Sequence, residues 1–168
     1  MPLHMEARDI SERLEGVASV LIVSCPICPP ISVAMQENAP YIELFKHGLN
    51  TEVFEDYIQS IREPLEQRGV RTGVYRSYVP CPTMCLWTRR QRDRFRRRAQ
   101  GYDAVVVLGC DTARYTVRQA LKDTRCRVFK GMRTVGMTNA ALKFHFPMTI
   151  TLEDKVRIGQ ERKVEEVG

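Results

Sequence analysis

The chain has 168 residues, 43% of them hydrophobic, with 26 Lys and Arg against 20 Asp and Glu for a net charge of +6. That length suits one domain, residues 1–168, able to bury roughly 70% of its unfolded surface. No apolar run reaches the ~18 residues of a membrane-spanning helix, so no membrane partner is expected. The segment Met1–Ile10 carries His4, Glu6, Arg8 and Asp9 and lacks the apolar stretch of a secretory signal. The expectation is a cytoplasmic protein whose six cysteines are reduced, metal-binding or catalytic, not a disulfide framework.

Val17 to Ser24 is a β-branched run, the pattern of a strand buried on both faces. Pro29 to Gly48 does not fit the strand–helix rhythm of the rest and reads as an insertion (29–48) lying over the end of that strand. Asn50 or Thr51 caps a helix whose apolar stripe is Val53, Phe54, Tyr57, Ile58, Ile61 and Leu65. Pro64 is expected to kink or end it, and Gly69 to close it. Val70 to Val79 is a second strand. An arginine-rich helix follows, with Gln91, Phe95 and Ala99 facing inward. Ala104 to Leu108 is the clearest buried strand. Asp111 or Thr112 caps the next helix, where Ala113, Val117, Ala120 and Leu121 share a face. Arg127 to Lys130 and Met148 to Leu152 are further strands, and 153–168 reads as a mobile tail.

Strands alternating with helices imply βαβ units and a three-layer, flavodoxin-like (Rossmann-like) α/β fold, with a parallel sheet and helices on both faces. The common doubly wound order is 2-1-3-4-5, and its ligands bind at the carboxyl edge of the switch point. Cysteines cluster after the first three strands: Cys25-Pro26-Ile27-Cys28, Cys81-Pro82-Thr83-Met84-Cys85, and Gly109-Cys110-Asp111. In that strand order the three loops are neighbours at one edge. Free cysteines are also common as small buried apolar residues, and Cys126, between Arg125 and Arg127, reads that way.

A C-x-x-C at a strand end suits a redox dithiol, a zinc knuckle or half of an iron–sulfur site. Pro29-Pro30 makes a thioredoxin-like helix start at Cys28 awkward. Cys25/Cys28 with Cys81/Cys85 satisfy a structural zinc count but leave out Cys110. Iron–sulfur ligands are thiolates often followed by proline, as Cys25, Cys28 and Cys81 are. A [4Fe–4S] cluster on Cys25, Cys28, Cys81 and Cys110 is therefore favoured, with Cys85 as an alternative ligand and zinc as the alternative metal.

The order Val23-Ser24-Cys25-Pro26-Ile27-Cys28, Val79-Pro80-Cys81, Val105-Val106-Val107-Leu108-Gly109-Cys110 with Tyr115-Thr116-Val117, and Val128-Phe129-Lys130-Gly131 resembles one known module. This is the cysteine-rich, MetV-type partner of methylenetetrahydrofolate reductase, which also occurs as a C-terminal domain. The resemblance runs from Val20 to Leu152. It implies a flavodoxin-like fold, iron–sulfur binding, and work beside a flavin-dependent one-carbon enzyme. The chain departs from the family at Ser32, where a third cysteine is usual, and no cysteine follows Cys126.

The basicity is local: Arg89, Arg90, Arg92, Arg94, Arg96, Arg97 and Arg98 are opposed only by Asp93 in that stretch. Arg90, Arg94, Arg97 and Arg98 are the candidate docking residues for a larger redox or one-carbon enzyme. A solvated helix face and nucleic-acid binding, with Trp87 and Phe95 as stacking residues, are the other readings of the run. His47 and His145 are candidate metal or acid–base groups that nothing pairs with a carboxylate at a telling spacing. Neither a P-loop nor a G-x-G-x-x-G is present. An iron–sulfur electron-transfer or accessory subunit is the leading expectation. A thiol- or metal-dependent enzyme acting on a small molecule in the same cleft, and a zinc protein with nucleic-acid affinity, are the alternatives.

Overall fold

The structure, a computed structural model, describes residues 2–48, 50–76 and 80–159. In chain order its elements are β1 (Leu3–Ala7), a 3-10 turn (Glu12–Leu14), β2 (Ser19–Ser24), α1 (Cys28–Gln36), β3 (Ile42–Glu43), α2 (Leu44–His47) and α3 (Glu52–Gln67). There follow β4 (Arg71–Tyr75), a second 3-10 turn (Met84–Leu86), α4 (Arg89–Ala99), β5 (Ala104–Leu108), α5 (Asp111–Ala120), β6 (Arg127–Lys130), β7 (Met132–His145) and β8 (Thr149–Gly159).

Every residue of β2 and β5 is buried, as their unbroken β-branched runs require. They pair in parallel at the centre of a four-stranded sheet of order β4-β2-β5-β6. This is the expected order for the first four strands. Alternation then sorts side chains by face. Val20, Ile22, Ala104, Val106 and Leu108 pack with Val33 of α1 and with Phe54, Ile58 and Leu65 of α3. Leu21, Val23, Val105 and Val107 pack with Phe95 and Ala99 of α4 and with Ala113, Val117 and Ala120 of α5. Helices therefore flank the parallel sheet on both faces.

A second sheet departs from the expected architecture. It is antiparallel, of order β1-β7-β8-β3. Met148–Leu152 does not extend the parallel sheet, and the stretch after Leu152 is no tail as far as Gly159. From Thr149 both belong to the hairpin strand β8, paired with the long β7. Residues 160–168 lie outside the described residues. Leu152 anchors this sheet on α1 by packing against Ile31 and Ala34. Glu6 ties its strands together, accepting from Arg133 (2.9 Å) and Arg157 (2.6 Å).

Four local expectations need correction. Residues 29–36 are not an insertion but most of α1, which opens at Cys28. Pro29 and Pro30 fall in its first turn, where the missing N–H groups have no intrahelical partner to lose. Helix α3 runs through Pro64 to Gln67, its last turn held by buried Leu65, and positive-φ Gly69 follows. The N-cap of α5 is Cys110, with extended backbone (φ −73°, ψ 177°), while Asp111 lies in the first turn paired with Lys130 at 2.6 Å. The second strand is shorter than Val70–Val79, and Ser77, Tyr78 and Val79 lie outside the described residues. No described helix is long and apolar enough to cross a membrane.

Candidate functional site

At the carboxyl edge of the parallel sheet, β2 and β5 lie side by side and each ends at a thiol. The amide of Cys25 donates to the carbonyl of Leu108, the last residue of β5, at 2.9 Å, extending the ladder one residue past β2. Gly109 lets α5 pack close against the end of β5. A Cβ at that position would stand 2.7 Å from the Ala113 Cβ and 3.7 Å from the Cys25 Cβ. Cys110 then begins α5, and three residues after Cys25 the Cys28 thiol begins α1. Neither helix has a side-chain cap, but they differ: α5 presents its first-turn amides at this edge, whereas in α1 Pro29 and Pro30 have none and the Cys28 amide turns to the Cys25 sulfur.

Cys25 is buried, at 6% exposure. Burial pushes its thiol pKa up, and the backbone N–H groups of Met84, Ile27 and Cys28, hydrogen-bonded to the sulfur, oppose that shift, while nearby Cys110 adds to it. The three amides offset only part of the burial, which on balance favours the protonated thiol. Burial likewise raises Cys28, opposed by the Leu3 amide, with Cys25, Cys110 and Cys85 adding to the rise. Cys25, Cys28 and Cys110 thus act on one another electrostatically, and Cys85 reaches Cys28. None of the six cysteines is in a disulfide.

Cys81 stands differently. Neither Cys25 nor Cys28 is shifted by it, and its Sγ lies 3.2 Å from the Thr83 Oγ1. Its carbonyl accepts from Nε2 of buried Gln91 at 2.7 Å. The same Gln91 forms a reciprocal capping box with Thr88, so one side chain joins the Cys81 loop to the start of the arginine helix. Cys126 lies away from this group, facing a hollow beside α5 and β6. Burial there pushes its pKa to about 11.

Two further residues bear on the site, and one of them, Tyr41, has no motif in the sequence to mark it. Tyr41, in the segment between α1 and β3, packs against Ile31, Ala34 and Leu152 and has its phenol pushed up by burial and then by the charges of Cys28 and Cys25. Its only sequence signal is its place within 29–48, the stretch expected to overlie the site. Ser32 occupies the family's third cysteine position. It is fully buried, donates to the Cys28 carbonyl at 2.8 Å and accepts from the Met5 amide at 2.9 Å. That hydroxyl binds β1 to α1 and thereby holds the Leu3 amide near Cys28.

The donor set is chemically suited to a thiolate-bound metal centre. Zinc holds sulfurs at about 2.3 Å, which demands tight crowding. The one described group of three ligand atoms within 4.8 Å of one another is Glu43, His47 and Glu52, not the thiols. In that group Glu43 is already engaged by Lys46 at 3.3 Å and by the Glu52 amide at 3.3 Å. A [4Fe–4S] cluster attaches its thiolates to different irons and spaces them more widely than one zinc ion does. His145 lies on the exposed hairpin, 2.8 Å from the Thr151 Oγ1. Compared with known proteins, the chain matches no family model, no curated protein and no solved structure.

Proposed function

We propose that the chain is an iron–sulfur accessory or electron-transfer subunit of a larger redox or one-carbon enzyme, with a flavodoxin-like winding of its parallel sheet. The observation that carries the reading is the buried Cys25 sulfur, which accepts three backbone N–H groups beside Cys28 and Cys110. Amides donating to sulfur stabilise thiolate and tune a cluster's potential. Cys25, Cys28 and Cys110 supply three ligands. The fourth comes from the 81–85 loop, from Cys81 or from Cys85, which is exposed and acts on Cys28. The cluster, when bound, supplies one-electron chemistry. The chain's own groups supply the uncapped start of α5, which favours its negative charge, and Ser32, which fixes the β1 amide.

The MetV-type resemblance supports the same reading through its motif order. The exposed Arg90, Arg94, Arg97 and Arg98 present one face of α4, and none is in an ion pair among the described residues. That face would meet an acidic patch on the partner enzyme. Cytoplasmic residence fits the free thiols.

A second reading has its own observation: Cys28 opens α1 directly, as a redox dithiol would. Against it, burial raises both thiols, whereas a reactive dithiol needs one lowered. Anaerobic purification followed by iron, acid-labile sulfide and zinc analysis separates these. Iron with equimolar sulfide and visible absorbance that bleaches on reduction supports the cluster. Stoichiometric zinc, or metal-free protein with one fast-reacting thiol of the Cys25–Cys28 pair, sinks it.

A further inference from the structure

The thiol edge makes no use of the groove between α4 and α5. Arg89, Arg92 and Arg96 line its α4 wall, Gln119 of α5 and Lys122 just beyond that helix line the other, and Trp87 lies within it, around a cavity of about 280 Å³. Asp93 and Asp123 also line it, which leaves four cations against two carboxylates. None of those four cations is in an ion pair among the described residues. Two buried donors of the same lining, Trp87 Nε1 and Arg92 Nε, have no hydrogen-bond acceptor. Such groups are rare in folded proteins and call for an explanation. The α4 start is not the reason, because Thr88 and Gln91 already cap it.

An acceptor-rich anion seated in the groove would satisfy both orphan donors and neutralise the surplus charge. Guanidinium forks match phosphate oxygens in pairs. Gln119 and Lys122 also line a neighbouring hollow of about 700 Å³, where Arg114 has a third unpartnered Nε and exposed Tyr115 offers a ring face. We propose that this surface is a binding site for a small phosphorylated ligand of the nucleotide class. Its phosphates lie between Trp87, Arg92 and Lys122, and its organic part extends along Tyr115. This assignment does not rest on the cluster.

Trp87 is the chain's single tryptophan, so its emission reports the site directly. The test titrates the whole protein with pyrophosphate, with adenosine triphosphate and with a short single-stranded oligonucleotide, against sodium chloride at matched ionic strength. The expected result is a saturable emission change with both small anions, tighter for the triphosphate, and none with chloride. Arg92→Gln weakens it about tenfold or more, as loss of a charged hydrogen bond would. The more exposed Arg96→Gln weakens it in the same direction, should Arg92→Gln fold poorly, and circular dichroism verifies both. The proposal is overturned if neither small anion saturates, if folded variants bind as tightly as the parent, or if only the oligonucleotide binds. Equal affinity for pyrophosphate and the triphosphate removes the organic subsite.

Discussion

The two sheets of this protein do different jobs with different materials. In the parallel sheet, β2 and β5 are buried at every residue and end at Cys25 and Gly109-Cys110. In the antiparallel sheet, β7 buries only Met132 and Thr138 of its 14 residues, and β8 only Leu152 of 11. The first is a two-faced core that fixes thiols at its edge. The second is a lighter layer, held on α1 by Leu152 and Ser32, that brings the Leu3 amide to Cys28. The buried sheet positions the thiols, and the lighter one packs beside them on α1.

The sharpest break of this contrast is in stability. Ile22→Ala, in the fully buried centre of β2, is expected to cost ~2–5 kcal/mol. Leu142→Ala, at 53% exposure on β7, should stay within about 0.5 kcal/mol. Urea denaturation of the two variants measures both. Comparable losses would mean that the hairpin is as much a core as the parallel sheet.

Gly109→Ala comes next. The added Cβ would meet the Ala113 Cβ at 2.7 Å, so the β5–α5 turn must shift, at a cost of about 1–3 kcal/mol. The same shift moves Cys110 from Cys25, so bound iron per chain should fall. Retained iron with lowered stability would separate the turn from the site. Ser32→Ala leaves the Met5 amide without its acceptor and should cost ~1–3 kcal/mol. Its effect on the site is indirect, through the Leu3 amide. Iron content should drop less than in Gly109→Ala, which parallel metal analysis of the two proteins would show.

How much of this was legible in the sequence follows from the same contrast. Strands buried on both faces announce themselves as unbroken runs, so Val17–Ser24 and Ala104–Leu108 gave their positions and, with the βα rhythm, the sheet order. The cysteine edge came with them. The antiparallel sheet was illegible for a physical reason. Arg133 to His145 mixes Arg, Thr, Asn, Gly and Lys with scattered apolar residues, because a mostly exposed strand with a bulge near Asn139 has no clean period of two. Leu3–Ala7 was passed over because its partner strand lies about 130 residues away. Helix α1 was missed at Pro29-Pro30, where proline at a helix start reads like a break. The cap of α5 reads one residue late in the sequence, because Asp111 is the stronger capper by type while its carboxylate is engaged by Lys130.

A smaller effect concerns pH. Burial raises the Cys25 and Cys28 thiols above the ordinary value of 9.0, so the folded metal-free protein favours the protonated form more than the unfolded chain does. Their contribution to stability is complete below about pH 9 and is lost as pH rises through the raised folded values. Alkylation at pH 8 should then label exposed Cys85 well before Cys25, as peptide mapping by mass spectrometry would show. Early labelling of Cys25 would mean that its thiol is not buried at the edge.

The central claim is that thiols from separate loops of the parallel sheet hold one cluster. The most direct test is iron and acid-labile sulfide per chain in anaerobically prepared Cys25→Ser, Cys28→Ser, Cys110→Ser and Cys126→Ser proteins. The account predicts loss of both in the first three, and parental content in Cys126→Ser, whose side chain lies beside α5 and β6. Parental iron and sulfide in a folded Cys110→Ser protein would contradict it.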